Sequence, residues 1–71
     1  MLNEETRDRV KMIRSLQLKL FFFEKRQVPE MTNLLRSAIE DMSSANIKNA
    51  MSIYNNVMIK TDHYIVEKVP F

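Results

Sequence analysis

The chain has 71 residues, carries a net charge of +2 and contains neither cysteine nor glycine. Its length corresponds to one small domain, residues 1–71, and the lack of cysteine excludes a disulfide framework and a thiolate metal site. Without glycine, the sequence also lacks the glycine-rich loops that hold the phosphate groups of nucleotides.

The first predicted helix covers about residues 4–25. Asn3 suits the N-cap position, and Glu4 and Glu5 would lie in the first turn, where the helix dipole favours negative charge. Apolar residues then recur at every third or fourth position, which is typical of one face of an amphipathic helix. They are Val10, Ile13, Leu16, Leu20 and Phe23.

Two further helices are predicted between residues 29 and 58. Pro29 would end the first helix and begin the second, because proline is tolerated at the first helical position. Ser43 or Ser44 would cap the third helix. The apolar face of the second helix is Met31, Leu34, Leu35, Ala38, Ile39 and Met42, and that of the third is Ile47, Ala50, Met51, Tyr54, Val57 and Met58.

The closing residues 63–71, HYIVEKVPF, allow two interpretations. Thr61 or Asp62 could cap a new element there, and residues such as Ile65 and Val66 favour a strand, whereas the helical context favours a short helix. The predicted fold is all-α: a small three-helix bundle with a short fourth C-terminal element. Its predicted core is Ile13, Leu16, Leu20, Phe23, Leu34, Leu35, Ala38, Ile39, Ala50, Met51 and Tyr54. Since glycine is lacking, the loops are expected either to use Asn at a position with positive φ or to avoid positive φ.

The run LKLFFF, residues 18–23, predicts a second apolar area on the first helix. Three consecutive phenylalanines cannot share one helical face, and Phe22 falls opposite Ile13, near Leu18, with Phe21 at the border. Three interpretations are open: the C-terminal segment or a fourth helix covers this area, a partner protein binds it, or it is a scattered exposed phenylalanine without a role. The predicted partner-binding residues are Leu18, Phe21, Phe22, Lys11 and Arg14.

The sequence offers little for catalysis. His63 is the single histidine, and a general base requires a neighbouring reactive group and an orienting partner. We interpret Asp62 as a helix cap and His63 as a residue that faces solvent. The chain is therefore predicted not to be an enzyme and to bind neither a cofactor nor a metal ion.

The leading hypothesis is a noncatalytic protein–protein interaction or scaffolding module that is capable of self-association. The alternative is a small nucleic-acid-binding regulator that contacts phosphates through basic residues of the first helix, although ion pairs with Glu4, Glu5 and Asp8 explain these residues more simply. The basic residues are Arg7, Arg9, Lys11, Arg14 and Lys19. No apolar run reaches the ~20 residues of a membrane span. We expect a cytoplasmic or nuclear location.

Residues 28–71 also carry a resemblance to a known family. The run VPEMTNLLRSAIEDMSSANIKNAMSIYNNVM resembles the helical domain shared by the steroid receptor RNA activator protein and the C-terminus of the large outer-coat subunit of COPII vesicles. The matching positions are Pro29, Leu34, Leu35, the polar break at Ser43–Asn46, Ala50, Ile53, Tyr54 and Tyr64. The resemblance implies a helical domain used in protein assembly and regulatory scaffolding.

Overall fold

A computed structural model describes residues 3–70, which form three α-helices in succession. They are α1 (Glu4–Arg26), α2 (Pro29–Ser44) and α3 (Ile47–Lys68). Because only Gln27 and Val28 separate the first two helices, and Ala45 and Asn46 the next two, each helix runs antiparallel to the one before it. The bundle measures 41 × 20 × 19 Å, and the all-helical prediction is confirmed for these residues.

Asparagine side chains cap the N-termini of two of the helices, α1 and α3. Asn3 accepts a hydrogen bond from the backbone N–H of Thr6 at 2.8 Å, and Asn46 accepts one from Asn49 at 2.9 Å. The predicted cap at Asn3 is therefore confirmed. The predicted cap at Ser43 or Ser44 is wrong, because both serines belong to the last turn of α2. There the Ser43 hydroxyl donates to the Ile39 carbonyl instead of capping α3.

Gln27 ends α1 in the left-handed conformation, with φ 57° and ψ 52°. Its N–H donates to the Glu24 carbonyl, and the N–H of Val28 donates to Phe23, so carbonyls of the last turn are satisfied. The expectation that asparagine would take any position with positive φ is wrong. Glutamine occupies it and bears the steric penalty that its Cβ brings in this region.

The core lies along the axis of the bundle and draws on all three helices. The predicted apolar face of α2 is confirmed, since Leu35 and Met42 are fully buried and Leu34 and Ile39 are half-buried. Met51 was expected in the core but is 49% exposed, because it lies at the border of the apolar face of α3. The buried apolar residues are Leu16, Phe23, Met31, Leu35, Ala38, Met42, Ala50, Val57 and Val69.

α3 continues through Thr61 and Asp62, so the predicted break and the short fourth element are wrong for the described residues. Thr61 is fully buried, and its hydroxyl donates to the Val57 carbonyl one turn earlier at 2.8 Å. Lys19 of α1 donates to the same hydroxyl at 2.9 Å. Because these bonds satisfy Thr61 inside the helix, it does not act as a cap. Residues 63–68 form the last turns of α3, and Phe71 lies outside the described residues.

Candidate interaction surface on α1

Six exposed residues follow one line along the outer side of α1, and we call them the cationic–apolar stripe. They are Arg7, Lys11, Arg14, Leu18, Phe21 and Lys25. Their spacings alternate between four and three residues, so they fall within an arc of about 80° on the helix. The stripe therefore presents these side chains to solvent as one continuous surface.

Two apolar side chains lie within the stripe. Leu18 is 73% exposed and Phe21 is 58% exposed. The ammonium group of Lys25 lies 4.9 Å from the centre of the Phe21 ring, a favourable cation–π arrangement. Arg14 precedes Leu18 by one turn, so cations border the apolar pair at both ends.

Phe22 has a different environment from that of Phe21. It is half-buried and packs edge-on against the core residue Phe23, with their ring centres 5.0 Å apart. The guanidinium of Arg26 lies over the Phe22 ring, 3.7 Å from its centre. The structure thus brings together Lys11, Arg14, Leu18 and Phe21 of the five predicted residues, and it places Phe22 where the stripe meets the core.

The basic residues of α1 divide into two groups. Arg9 donates to the backbone carbonyls of Met42 and Ala45, the latter at 2.7 Å, and so holds the end of α2. Lys19 has a side chain only 16% exposed, which binds Asp62 as well as Thr61. These two residues join α1 to the rest of the bundle because they lie on its inner sides, away from the stripe.

The four basic residues of the stripe have no carboxylate partner within residues 3–70. The intrahelical ion pairs expected with Glu4, Glu5 and Asp8 do not form there. The salt bridges in this part of the chain are Lys19–Asp62, Arg36–Glu24 and His63–Glu67. Glu24 lies to one side of the stripe and is engaged by Arg36 of α2 at 2.8 Å. From Arg7 to Lys25 the stripe carries four positive charges and no negative charge.

Two other surface features were missed in the sequence. Ile59 and Val66 are 68% and 79% exposed, and they lie on one side of α3. Because a helix break was predicted at Thr61 or Asp62, the two residues were not assigned to the same helix. A groove of about 490 Å³ also lies between the start of α2 and the end of α3. Its lining mixes apolar and oppositely charged side chains, namely Glu30, Met31, Leu34, Lys60, His63, Tyr64, Glu67 and Lys68.

His63 lies at the rim of this groove and is exposed, as predicted. Its Nε2 atom is 3.2 Å from the Glu67 carboxylate one turn later. Asp62 was expected to cap a helix, but its carboxylate binds Lys19 instead. Asp62 therefore connects α3 to α1, and His63 makes its contact within α3.

No protein family, curated protein or solved structure matches the chain. Within residues 3–70, no helix is both long enough and apolar enough to cross a membrane. The functional interpretation therefore rests on the geometry of the surface, and the cationic–apolar stripe is its most organised feature.

Proposed function

We propose that the chain is a noncatalytic protein-interaction or scaffolding module whose binding surface is the cationic–apolar stripe. The observation that carries this proposal is the exposure of Leu18 and Phe21 side by side, between cations, on a helix whose opposite side packs in the bundle. Burying an apolar side chain of this size contributes about 1.5–3 kcal/mol. A partner that covers both residues would therefore gain a substantial part of its binding energy there.

The polar side chains support a noncatalytic role. The buried polar residues, Thr32 and Thr61, donate to backbone carbonyls of their own helices. His63 is exposed and has Glu67 as its neighbour. These contacts stabilise helices, and we assign no chemical step to them.

The resemblance of residues 28–71 to the helical domain of the steroid receptor RNA activator protein and the COPII outer coat points to the same class of function. In that domain, as in this proposal, the role is assembly and not catalysis. We propose a cytoplasmic or nuclear location for the chain, which its lack of cysteine fits.

Site-specific photo-crosslinking tests the proposal. A photoreactive amino acid replaces Leu18 in one variant and Val66, which is similarly exposed on α3, in a control variant. We expect a discrete crosslinked species from position 18 in the cells that express the chain, reduced by Phe21→Asp and not produced from position 66. Sedimentation of the purified chain shows whether that species is a second copy. Equal crosslinking from the two positions would contradict the proposal.

Nucleic-acid binding is the second candidate, and the alignment of Arg7, Lys11, Arg14 and Lys25 favours it. Phosphate contacts would make the affinity fall steeply with salt, with a slope of about −0.9 for each phosphate neutralised on duplex DNA. Fluorescence polarisation with labelled duplex DNA and single-stranded RNA measures this, with Lys11→Glu as the variant and Lys48→Glu on α3 as its control. A lack of binding at low salt would exclude this candidate.

A further inference from the structure

We infer that the stripe binds an acidic amphipathic α-helix of another protein and not a second copy of this chain. The inference rests on the proposed interaction function and specifies the chemistry of the partner. It follows from the shape of the stripe, from its charge and from the composition of the chain's other faces.

The spacing of the stripe matches the seam between two packed helices. Its residues alternate at intervals of four and three, which is the pattern of facing positions in a coiled coil. From Arg7 to Lys25 the stripe extends over 18 residue steps, or about 27 Å at 1.5 Å per residue. A partner helix of about five turns would cover it from end to end.

The charge of the stripe determines what that helix must carry. Three cations precede the apolar pair and one follows it, and all four lie in the same line as Leu18 and Phe21. A neutral apolar partner would desolvate these cations without pairing them, which is unfavourable. The complementary helix therefore has an apolar pair with carboxylates on the same face at both ends.

A second copy does not offer this combination. Two stripes packed together would bring four cations against four. The outer face of α2 carries acids, among them Glu30 and Glu40, but none of its exposed residues is a large apolar one. α3 exposes Ile59 and Val66, but the nearby Asp62 is bound by Lys19. Glu67, beside Val66, lies 3.2 Å from the Nε2 atom of His63. Within residues 3–70, the carboxylates nearest the exposed apolar pair of α3 are therefore already paired within the bundle.

A helix also fits the stripe better than a lipid or nucleic-acid surface. A helix lying on a bilayer buries a broad apolar face with basic residues on the polar side, whereas here two apolar residues share one line with the cations. A nucleic acid aligned with the stripe would place phosphates against Leu18 and Phe21. The experiment below therefore also measures binding to lipid vesicles and to duplex DNA.

The test is binding of a designed, fluorescently labelled helical peptide to the whole chain, measured by polarisation. The peptide carries glutamates opposite the four cations and two leucines opposite Leu18 and Phe21. A control peptide of the same composition has its glutamates on the opposite face. We expect the first peptide to bind, the control peptide to bind more weakly, and the double variant Lys11→Glu, Arg14→Glu to lose about tenfold in affinity.

One further peptide and two further variants separate complementarity from damage to the fold. A peptide with lysines in place of the glutamates opposite positions 11 and 14 should restore binding to the double variant. Val66→Asp changes a similarly exposed apolar residue on α3 and should leave the affinity unchanged, whereas Leu18→Asp should abolish measurable binding. Equal affinity for the two original peptides would overturn the inference.

Three other outcomes would also overturn it. One is stripe-dependent binding of phosphatidylserine-containing vesicles or of duplex DNA without binding of the peptide. A second is self-association that Leu18→Asp removes. The third is failure of the peptide while position 18 still crosslinks to a protein, which would leave the proposed function standing and refute the acidic-helix partner alone.

Discussion

Replacing Arg9 by alanine should destabilise the bundle more than replacing any exposed arginine of α1. One terminal nitrogen of the Arg9 guanidinium donates to the carbonyls of Met42 and Ala45. Carbonyls at the end of a helix lack partners within that helix and attract a positive charge. Arg9 therefore links α1 to the turn between α2 and α3 and caps α2 at the same time.

The magnitude follows from the number and surroundings of these bonds. A hydrogen bond to a charged group contributes about 1.5–3 kcal/mol in a buried setting. Arg9 is only half-buried, so water replaces part of what Arg9→Ala removes, and we expect a total loss of about 2 kcal/mol. For a domain of this size that corresponds to a fall in Tm of roughly 10 °C.

The loss of stability is measured by urea unfolding, with the circular dichroism signal of the helices as the readout. Arg14→Ala is the matched control, because Arg14 lies on the exposed stripe and its removal should change stability by less than ~0.5 kcal/mol. Arg9→Lys should fall between the two, since lysine keeps the charge but not the guanidinium geometry. Equal unfolding midpoints for Arg9→Ala and Arg14→Ala would refute the role given to Arg9.

Three further substitutions probe the core, the connection between α1 and α2, and the stripe by the same unfolding measurement. Leu35→Ala should lower the free energy of unfolding by roughly 2–5 kcal/mol, since Leu35 is fully buried. An unchanged midpoint would show that this face of α2 is not in the core. Gln27→Gly should raise the free energy of unfolding by about 0.5–1 kcal/mol, because glycine adopts the left-handed conformation without a steric penalty. A loss would contradict that conformation. Leu18→Asp should leave stability within ~0.5 kcal/mol of wild type, since Leu18 is exposed, and a larger fall would show that Leu18 contributes to the fold.

The helices themselves could be predicted because the signals that define them are local. The apolar residues of α2 recur with the helical period over its whole length, and Pro29 marks its first residue. Asn3 and the acids after it mark the start of α1 in the same way. These features depend on residues within one or two turns, which the sequence displays directly.

The errors arose where a distant contact decides between two local options. The Thr61 hydroxyl could cap a helix or bond back to the preceding turn, and the sequence around it allows both. In the structure Lys19 binds Thr61, which is 42 residues away, and also Asp62, and α3 passes through both residues unbroken. Asn46, in turn, takes the capping role that the neighbouring serines could equally have filled.

The candidate site could be predicted in part. Leu18 and Phe21 were expected near Lys11 and Arg14, and these four share the stripe. Arg9 has the same chemistry as Arg14, however, and only the position of α2 shows that it faces inward. Such sorting depends on how helices pack, which residue spacing along a single helix does not specify.

The brevity of the two inter-helix linkers also determines how the chain can fold. Each linker joins helices that pack on each other, so most tertiary contacts connect segments close in sequence, a property typical of proteins that fold within microseconds to milliseconds. The bond from Lys19 to Thr61 spans a longer loop and would form as α3 closes on α1. A newly made chain should therefore reach its final shape soon after its third helix emerges from the ribosome.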